Sequence, residues 1–344
     1  MGDQHGLSPA DFDSLFEPLR SFDHLLVAVS GGVDSTVLLN ALCEWLNRCR
    51  THQRQAPSKI SVACVDHNLR EGSAREARAV KKMAQRLGCE GSILRWQGEK
   101  PLTGLQEKAR EMRYALLQKQ ALKIKAEAIV LAHHADDQAE TLLMRMAAGS
   151  GPEGLCGMQM RSERDGMVLL RPFLKLSKAA LIATAQSAQC PWHEDPSNQH
   201  LRFERVRLRQ MQSLREAAGL TSARLGRLSE RLARQQEAVD WMVAHYWPQL
   251  VKQDNGIIVF EAGLWALPSE IVLRLLAKAV HAFNPSAVLR LERLELLQTS
   301  LHESVMRQQN GRRTLGGCVL TVSRRGELTL MQEPKRRRGR SVEG

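Results

Sequence analysis

Between residues 25 and 132, short apolar runs alternate with amphipathic stretches. The runs at 25–29, 60–65, 91–96 and 128–132 read as strands, and the stretches near 36–49, 73–87 and 104–122 as helices. Strand–helix alternation of this length predicts an α/β fold with a doubly wound parallel sheet. Ligands of such sheets bind beyond the carboxyl ends of the strands. The three segments richest in polar chemistry, 30–35, 66–70 and 133–140, all follow strand ends. Topology alone therefore brings them together.

Downstream the pattern changes. Residues 149–176 are glycine-rich, then polar, and end in Leu169-Leu170-Arg171-Pro172-Phe173, which reads as a loop region returning to the sheet. Residues 177–189 look helical, and 190–199 form a loop containing proline and asparagine. A helical, arginine-rich segment runs from 201 to about 248, and 248–256 reads as a boundary. Short β-like runs at 257–260, 318–322 and 328–331 then mix with helices near 268–283 and 290–302, predicting a small α+β domain.

Composition adds a partner class. The 344 residues suffice for two domains, and the net charge of +12 favours an anionic partner, nucleic acid first. The excess concentrates after residue 200 and in the tail Lys335-Arg336-Arg337-Arg338-Gly339-Arg340. Aromatic residues make up only 4%, which speaks against base-stacking platforms of RNA-recognition type. Seven cysteines, without a CxxC, make neither a disulfide framework nor a structural zinc site, and fit a reducing cytoplasm. No run approaches the ~18 apolar residues of a membrane span, and the N-terminus lacks the pattern of a secretory signal.

The sharpest motif is Ser30-Gly31-Gly32-Val33-Asp34-Ser35, between a strand and a helix. Backbone N–H groups at a helix start attract anions, and glycines allow a phosphate to come close. No Gly-Lys-Ser/Thr follows, so this is not a Walker A loop. A second cluster is His133-His134-Ala135-Asp136-Asp137-Gln138-Ala139-Glu140. His133, Asp137 and Glu140 stand at i, i+4 and i+7, so they share one face where a helix begins. Two carboxylates and an imidazole there could hold Mg²⁺, hold an ammonium group, or move a proton. His67 and Arg70 at a strand end could face a nucleotide or an anionic substrate, or lie on a surface turn. Arg205, Arg207 and Arg209 cannot all share one helical face, whereas Arg224, Arg227, Arg231 and Arg234 form one stripe, suited to phosphates or to solvent.

Taken together, SGGVDS, VDHNLR, EKAREMRY, LAHHADDQAETLLMRMAAGSGPEGLCGM, RPFLKLSK and WHEDPSN with FERVRLR resemble the tRNA(Ile)-lysidine synthetases, within the ATP pyrophosphatases that carry a PP-loop. The matching stretches occur in that order over residues 24–215. The resemblance implies an adenine nucleotide alpha hydrolase-like sheet, a helical segment and a small C-terminal domain. It divides the chain into a PP-loop ATP-binding catalytic domain at 1–215, a tRNA-contacting domain at 216–334, and a disordered basic tail at 335–344. The implied reaction adenylates the wobble cytidine of an isoleucine tRNA with a CAU anticodon, and free L-lysine then displaces AMP to give lysidine. ATP and Mg²⁺ are the implied cofactors, and a homodimer is compatible with the family. Ser30, Gly31, Gly32, Val33, Asp34 and Ser35 would bind ATP, with Asp34 and Asp137 at the metal. Asp34, Arg113, His133, Asp137, Glu140 and Arg205 would be the catalytic set.

Asn68 stands where the family has glycine, Ala148 where arginine often precedes the glycine loop, and Val206 where asparagine often follows the arginine. Three alternatives stay open. A tRNA thiolase would use paired cysteines, which are absent as CxxC. A small-molecule synthetase of the GMP or NAD type has no use for the basic second half. A nucleotide-gated RNA-binding protein would not need Asp34, Asp137 and Glu140.

Overall fold

The computed structural model describes residues 6–69, 72–101, 103–193, 204–254 and 256–334. Arg70, most of the WHEDPSN segment with Phe203, and the tail 335–344 lie outside the described residues. By its contacts the chain divides into two compact units, residues 1–149 with 155–230, and residues 150–154 with 231–344.

The first unit begins with α1 (Pro9–Leu15) and is organised by a six-stranded sheet. Its strands are β1 (His24–Ala28), β2 (Lys59–Asp66), β3 (Glu90–Arg95), β4 (Ala128–Val130), β5 (Arg161–Arg164) and β6 (Met167–Leu170). The order is β3-β2-β1-β4-β6-β5, parallel throughout except for the edge strand β5. The helices between strands are α2 (Val33–Thr51), α3 (Ser73–Arg86) and α4 (Leu105–Ile124). Alternation along β1 serves two cores. Leu25, Val27 and Val29 pack with Trp45 of α2 and Val80 of α3, while Leu26 packs with Tyr114 and Leu117 of α4. Both faces are thus covered at the centre of the sheet, which is why β1, β2 and β4 read as apolar runs.

The chain winds outward from β1 to β3, then crosses back to place β4 on the other side of β1. Strand order reverses between β1 and β4, and a crevice opens there beyond the strand ends. The 30–35 loop follows β1, and α5 (Ala135–Ala147) follows β4. After a short turn, α6 (Pro152–Leu155), the region expected to be a loop returning to the sheet contains the β5–β6 hairpin. Then come α7 (Lys178–Ser187), α8 (Glu204–Gln210), α9 (Gln212–Ala217) and the long α10 (Ser222–Leu250).

The second unit is a five-stranded antiparallel sheet in the order β7-β8-β11-β10-β9. These strands are β7 (Val251–Asp254), β8 (Ile257–Phe260), β9 (Gly311–Leu315), β10 (Cys318–Val322) and β11 (Leu328–Gln332). Leu275, Leu276 and Val280 of α11 (Ser269–Phe283) and Leu301 of α12 (Leu291–Met306) pack on Phe260, Leu320 and Leu330. No helix among the described residues is long and apolar enough to cross a membrane.

Candidate active site

The 30–35 loop is shaped by its own hydrogen bonds. The Ser35 hydroxyl donates to Gly32 O at 3.0 Å and accepts the Ser30 amide at 3.1 Å, and the two serine hydroxyls lie 3.2 Å apart. Gly31 takes φ +92°, and a Cβ there would press on Val80 at 3.2 Å. Gly32 starts α2 without any side-chain cap, so the first amides of the helix, from Val33 to Ser35, are left for an external acceptor. An uncapped helix start behind a glycine turn suits a phosphate group.

Across the crevice, the start of α5 is a capping box. His134 Nδ1 accepts the Asp136 amide at 3.2 Å, and Asp137 Oδ2 accepts the His134 amide at 3.1 Å. Because Nδ1 accepts, the proton sits on Nε2, which faces Asp137 at 3.4 Å and Asp34 at 3.7 Å. One imidazole therefore bridges the two loops. Its neighbour His133, the sequence candidate, is not part of this bridge but interacts electrostatically with Asp137.

The two adjacent aspartates divide their work. Asp136 is structural: it accepts the Lys178 amide at 3.0 Å and the Ser222 hydroxyl, tying α5 to α7 and α10. Asp137 faces the crevice. Burial pushes its pKa up, but the His134 ring and amide and the Arg209 guanidinium outweigh this and hold it below the usual carboxylate value.

Two cations that sequence reasoning left unassigned complete the cluster. Lys178 Nζ lies 2.7 Å from both oxygens of Asp34. The phosphate loop has no lysine of its own, and the fold supplies one from the first residue of α7. Arg209 grips Glu140 at 2.6 and 3.3 Å and approaches Asp137 at 3.6 Å. Glu140 is 5% exposed and Arg209 42%. Burial raises the Glu140 pKa, and Arg209 opposes that rise.

Beside Asp137 lies a basic pocket. Arg113 is exposed, yet the protein around its guanidinium and then the charges of Arg110 and Arg205 lower its pKa. Arg110 is lowered by burial and by Arg205, Arg164 and Arg145. Arg171 is buried, with Nη1 donating to Gln159 O at 2.8 Å and Ser162 Oγ at 2.9 Å. Two imidazoles belong to the same pocket. Burial drives His133 down to about 3 and His67 to about 4, with Arg113 depressing both. The Nδ1 atoms of His67 and His133 are buried without a hydrogen-bond partner. Clustered guanidiniums and unpartnered ring nitrogens fit a ligand that carries both anionic and base-like groups.

The structure thus brings together Asp34, Arg113, His133, Asp137, Glu140 and Arg205, the last acting on both Arg113 and Glu140. Asn68, in place of glycine, adopts φ +51°, a conformation asparagine tolerates, and its amide donates to Asp66 Oδ1 at 2.9 Å. Val206 is buried in α8, so that position serves packing.

The neutral histidines make stability depend on pH. Both bind fewer protons folded than unfolded between pH ~6.5 and their folded values, so stability falls as pH drops through that range. The ligand-free chain is expected to lose melting temperature from pH 6.5 towards pH 4, and His67→Gln to flatten that loss, as measured by thermal denaturation.

A protein-family model described as "PP-loop domain" matches residues 8–214. A U34-tRNA thiolase from Methanococcus maripaludis shares the fold, with a TM-score of 0.54 and 17% identity over 65% of this chain and 77% of that one. A tRNA(Ile)-lysidine synthase from Methylobacterium sp. is 43% identical over 91% of this chain and 90% of its own length. Another, from Bradyrhizobium diazoefficiens, is 38% identical over 98% and 97%. The chain belongs to the tRNA(Ile)-lysidine synthase family.

Proposed function

We propose that the chain adenylates the wobble cytidine of a CAU-anticodon isoleucine tRNA with ATP and then joins free L-lysine to its C2, releasing pyrophosphate and AMP. The observation that carries this is the His134 bridge: an uncapped phosphate loop and an acidic cluster meet on one imidazole, beside a pocket of guanidiniums. In the first step the cytidine O2 attacks the α-phosphorus, and the bond to pyrophosphate breaks. The free amides after Gly32 and the Lys178 ammonium hold the phosphates, Lys178 shifting from Asp34 to the new anion. In the second step the lysine ε-amine attacks C2 and the C2–O bond to AMP breaks.

An amine attacks only when neutral, so a proton must leave it. Asp137, whose Oδ2 takes the His134 amide and whose Oδ1 lies 3.6 Å from Arg209, is the carboxylate that takes this proton, while Glu140, gripped by Arg209, serves to position that arginine. Arg113, Arg205 and His133 face the cytidine and its phosphates. Asp34 and Asp137 fit a Mg²⁺ site, since that ion commonly takes one or two carboxylates and fills its shell with phosphates and water. Bound there, it would neutralise phosphate charge. The free, buried cysteines support a cytoplasmic setting.

Labelled lysine, ATP and Mg²⁺ test the reading directly. Lysine is expected to enter an unmodified CAU-anticodon isoleucine tRNA and not the elongator methionine tRNA with the same anticodon. Equal labelling of the two, or of neither, overturns it.

A further inference from the structure

The basic stripe of α10 does not end in basic residues. Within the second unit, Arg231, Arg234, Ala238, Trp241 and His245 follow one another at spacings of three and four, so they share one helix face, and all are exposed. Neither Arg231 nor Arg234 has an ion-pair or hydrogen-bond partner among the described residues. Further along, Trp241 is 66% exposed, the one Phe, Trp or Tyr side chain of the described residues that stands open to solvent. It is not loose. Its indole stacks on His245 with ring centres 5.2 Å apart and planes 5° from parallel. Gln249 holds that imidazole by a contact of 2.9 Å between its Nε2 and His245 Nε2. One face of the indole is backed, and the other is available.

Exposing an indole to water is unfavourable unless something covers it. The two unpaired guanidiniums lie within about 15 Å along the helix axis of the ring, so an anionic occupant suits the face better than an apolar one. An aromatic plane next to a run of cations is how sequence-tolerant RNA sites are built: guanidiniums follow the backbone and an unpaired base lies on the ring. We infer that Arg231, Arg234 and the Trp241–His245 stack form a binding face for RNA with an unpaired base, the two arginines on phosphates and the base on the indole. The low aromatic content argued against such platforms, but a single well-placed ring is enough. The inference rests on the tRNA reading for the identity of the RNA, and its energetics stand apart from the active site.

The test uses the full chain, a CAU-anticodon tRNA transcript and a blunt RNA duplex. Trp241→Ala is expected to weaken tRNA binding roughly ten-fold, the size of one lost base–aromatic stack, and to leave duplex binding unchanged. Trp241→Phe should keep most of the affinity. Arg234→Gln should weaken binding to both RNAs and lower the slope of log affinity against log salt by about one. Unchanged tRNA affinity in Trp241→Ala, or equal weakening on tRNA and duplex, overturns the inference. So does a change of oligomeric state in sedimentation with RNA affinity intact, which would make the face a protein contact. A wild-type chain that incorporates no lysine, yet binds tRNA in a Trp241-dependent way, overturns the lysidine reading and supports the stack.

Discussion

Asp137→Asn is expected to cut lysine incorporation into CAU-anticodon isoleucine tRNA by about 10²-fold or more, with tRNA affinity nearly intact. Asparagine keeps an oxygen for the His134 amide, which Asp137 accepts at 3.1 Å, so the start of α5 survives. What it loses is charge: the carboxylate that faces the His134 ring, sits near Arg209, and receives the amine's proton in the proposed reaction. Asp137→Ala would add the loss of half a capping box, about 1 kcal/mol of stability. The two variants therefore separate chemistry from folding. Steady-state rates with labelled lysine, together with filter binding of the tRNA, measure both effects. Loss of tRNA binding in the asparagine variant would move Asp137 from the chemistry to the RNA contact.

The second large effect falls on Arg209. Its removal leaves Glu140 buried without its cation, at a carboxylate whose pKa burial already raises. Arg209→Ala should raise that pKa further and protonate Glu140 at pH values where the wild type is ionised. A group that must be ionised then works only at higher pH. The acid limb of the rate profile is expected to shift to higher pH, and the plateau rate to fall by roughly 10²-fold through loss of a positioned cation. A pH–rate profile measured by lysine incorporation decides it. An unshifted limb, or one shifted to lower pH, would mean that Glu140 takes no part through its charge.

The parts of the fold that were legible in sequence are those encoded locally. β1 and β2 fall within a residue of the expected runs, because strands covered on both faces are continuously apolar, and the edge strand β3 falls within a residue of its own expected run although it is only partly buried. The β5 strand was not legible. Arg161-Ser162-Glu163-Arg164 lies at a sheet edge, is largely exposed, and shows no apolar alternation. The same holds for β9, whose Arg312-Arg313-Thr314 carries no core signal. The phosphate loop was readable since its conformation depends on its own glycines.

The cluster opposite was readable only in part. Two histidines and two aspartates stand side by side, and spacing cannot say which of each faces inward. Tertiary contacts decide: Asp136 is drawn to Ser222 and the Lys178 amide, leaving Asp137 for the site. Lys178 pairs with a residue 144 positions away. A signal for it did exist. A lysine at the first position of a helix opposes the helix dipole, so it needs another reason to be there. Arg209 had one too, since it stands four residues after Arg205 on the same face of α8.

In the proposed reaction one site performs two steps, adenylation and then amine transfer, on the wobble cytidine. The most direct measurement is a nuclease digest of the isoleucine tRNA after reaction with ATP, Mg²⁺ and isotopically labelled lysine, with mass analysis of the nucleoside from the wobble position. The label is expected on that cytidine, with one AMP and one pyrophosphate released per lysine joined. Label on another nucleoside, or pyrophosphate release with no lysine on the cytidine, would contradict it.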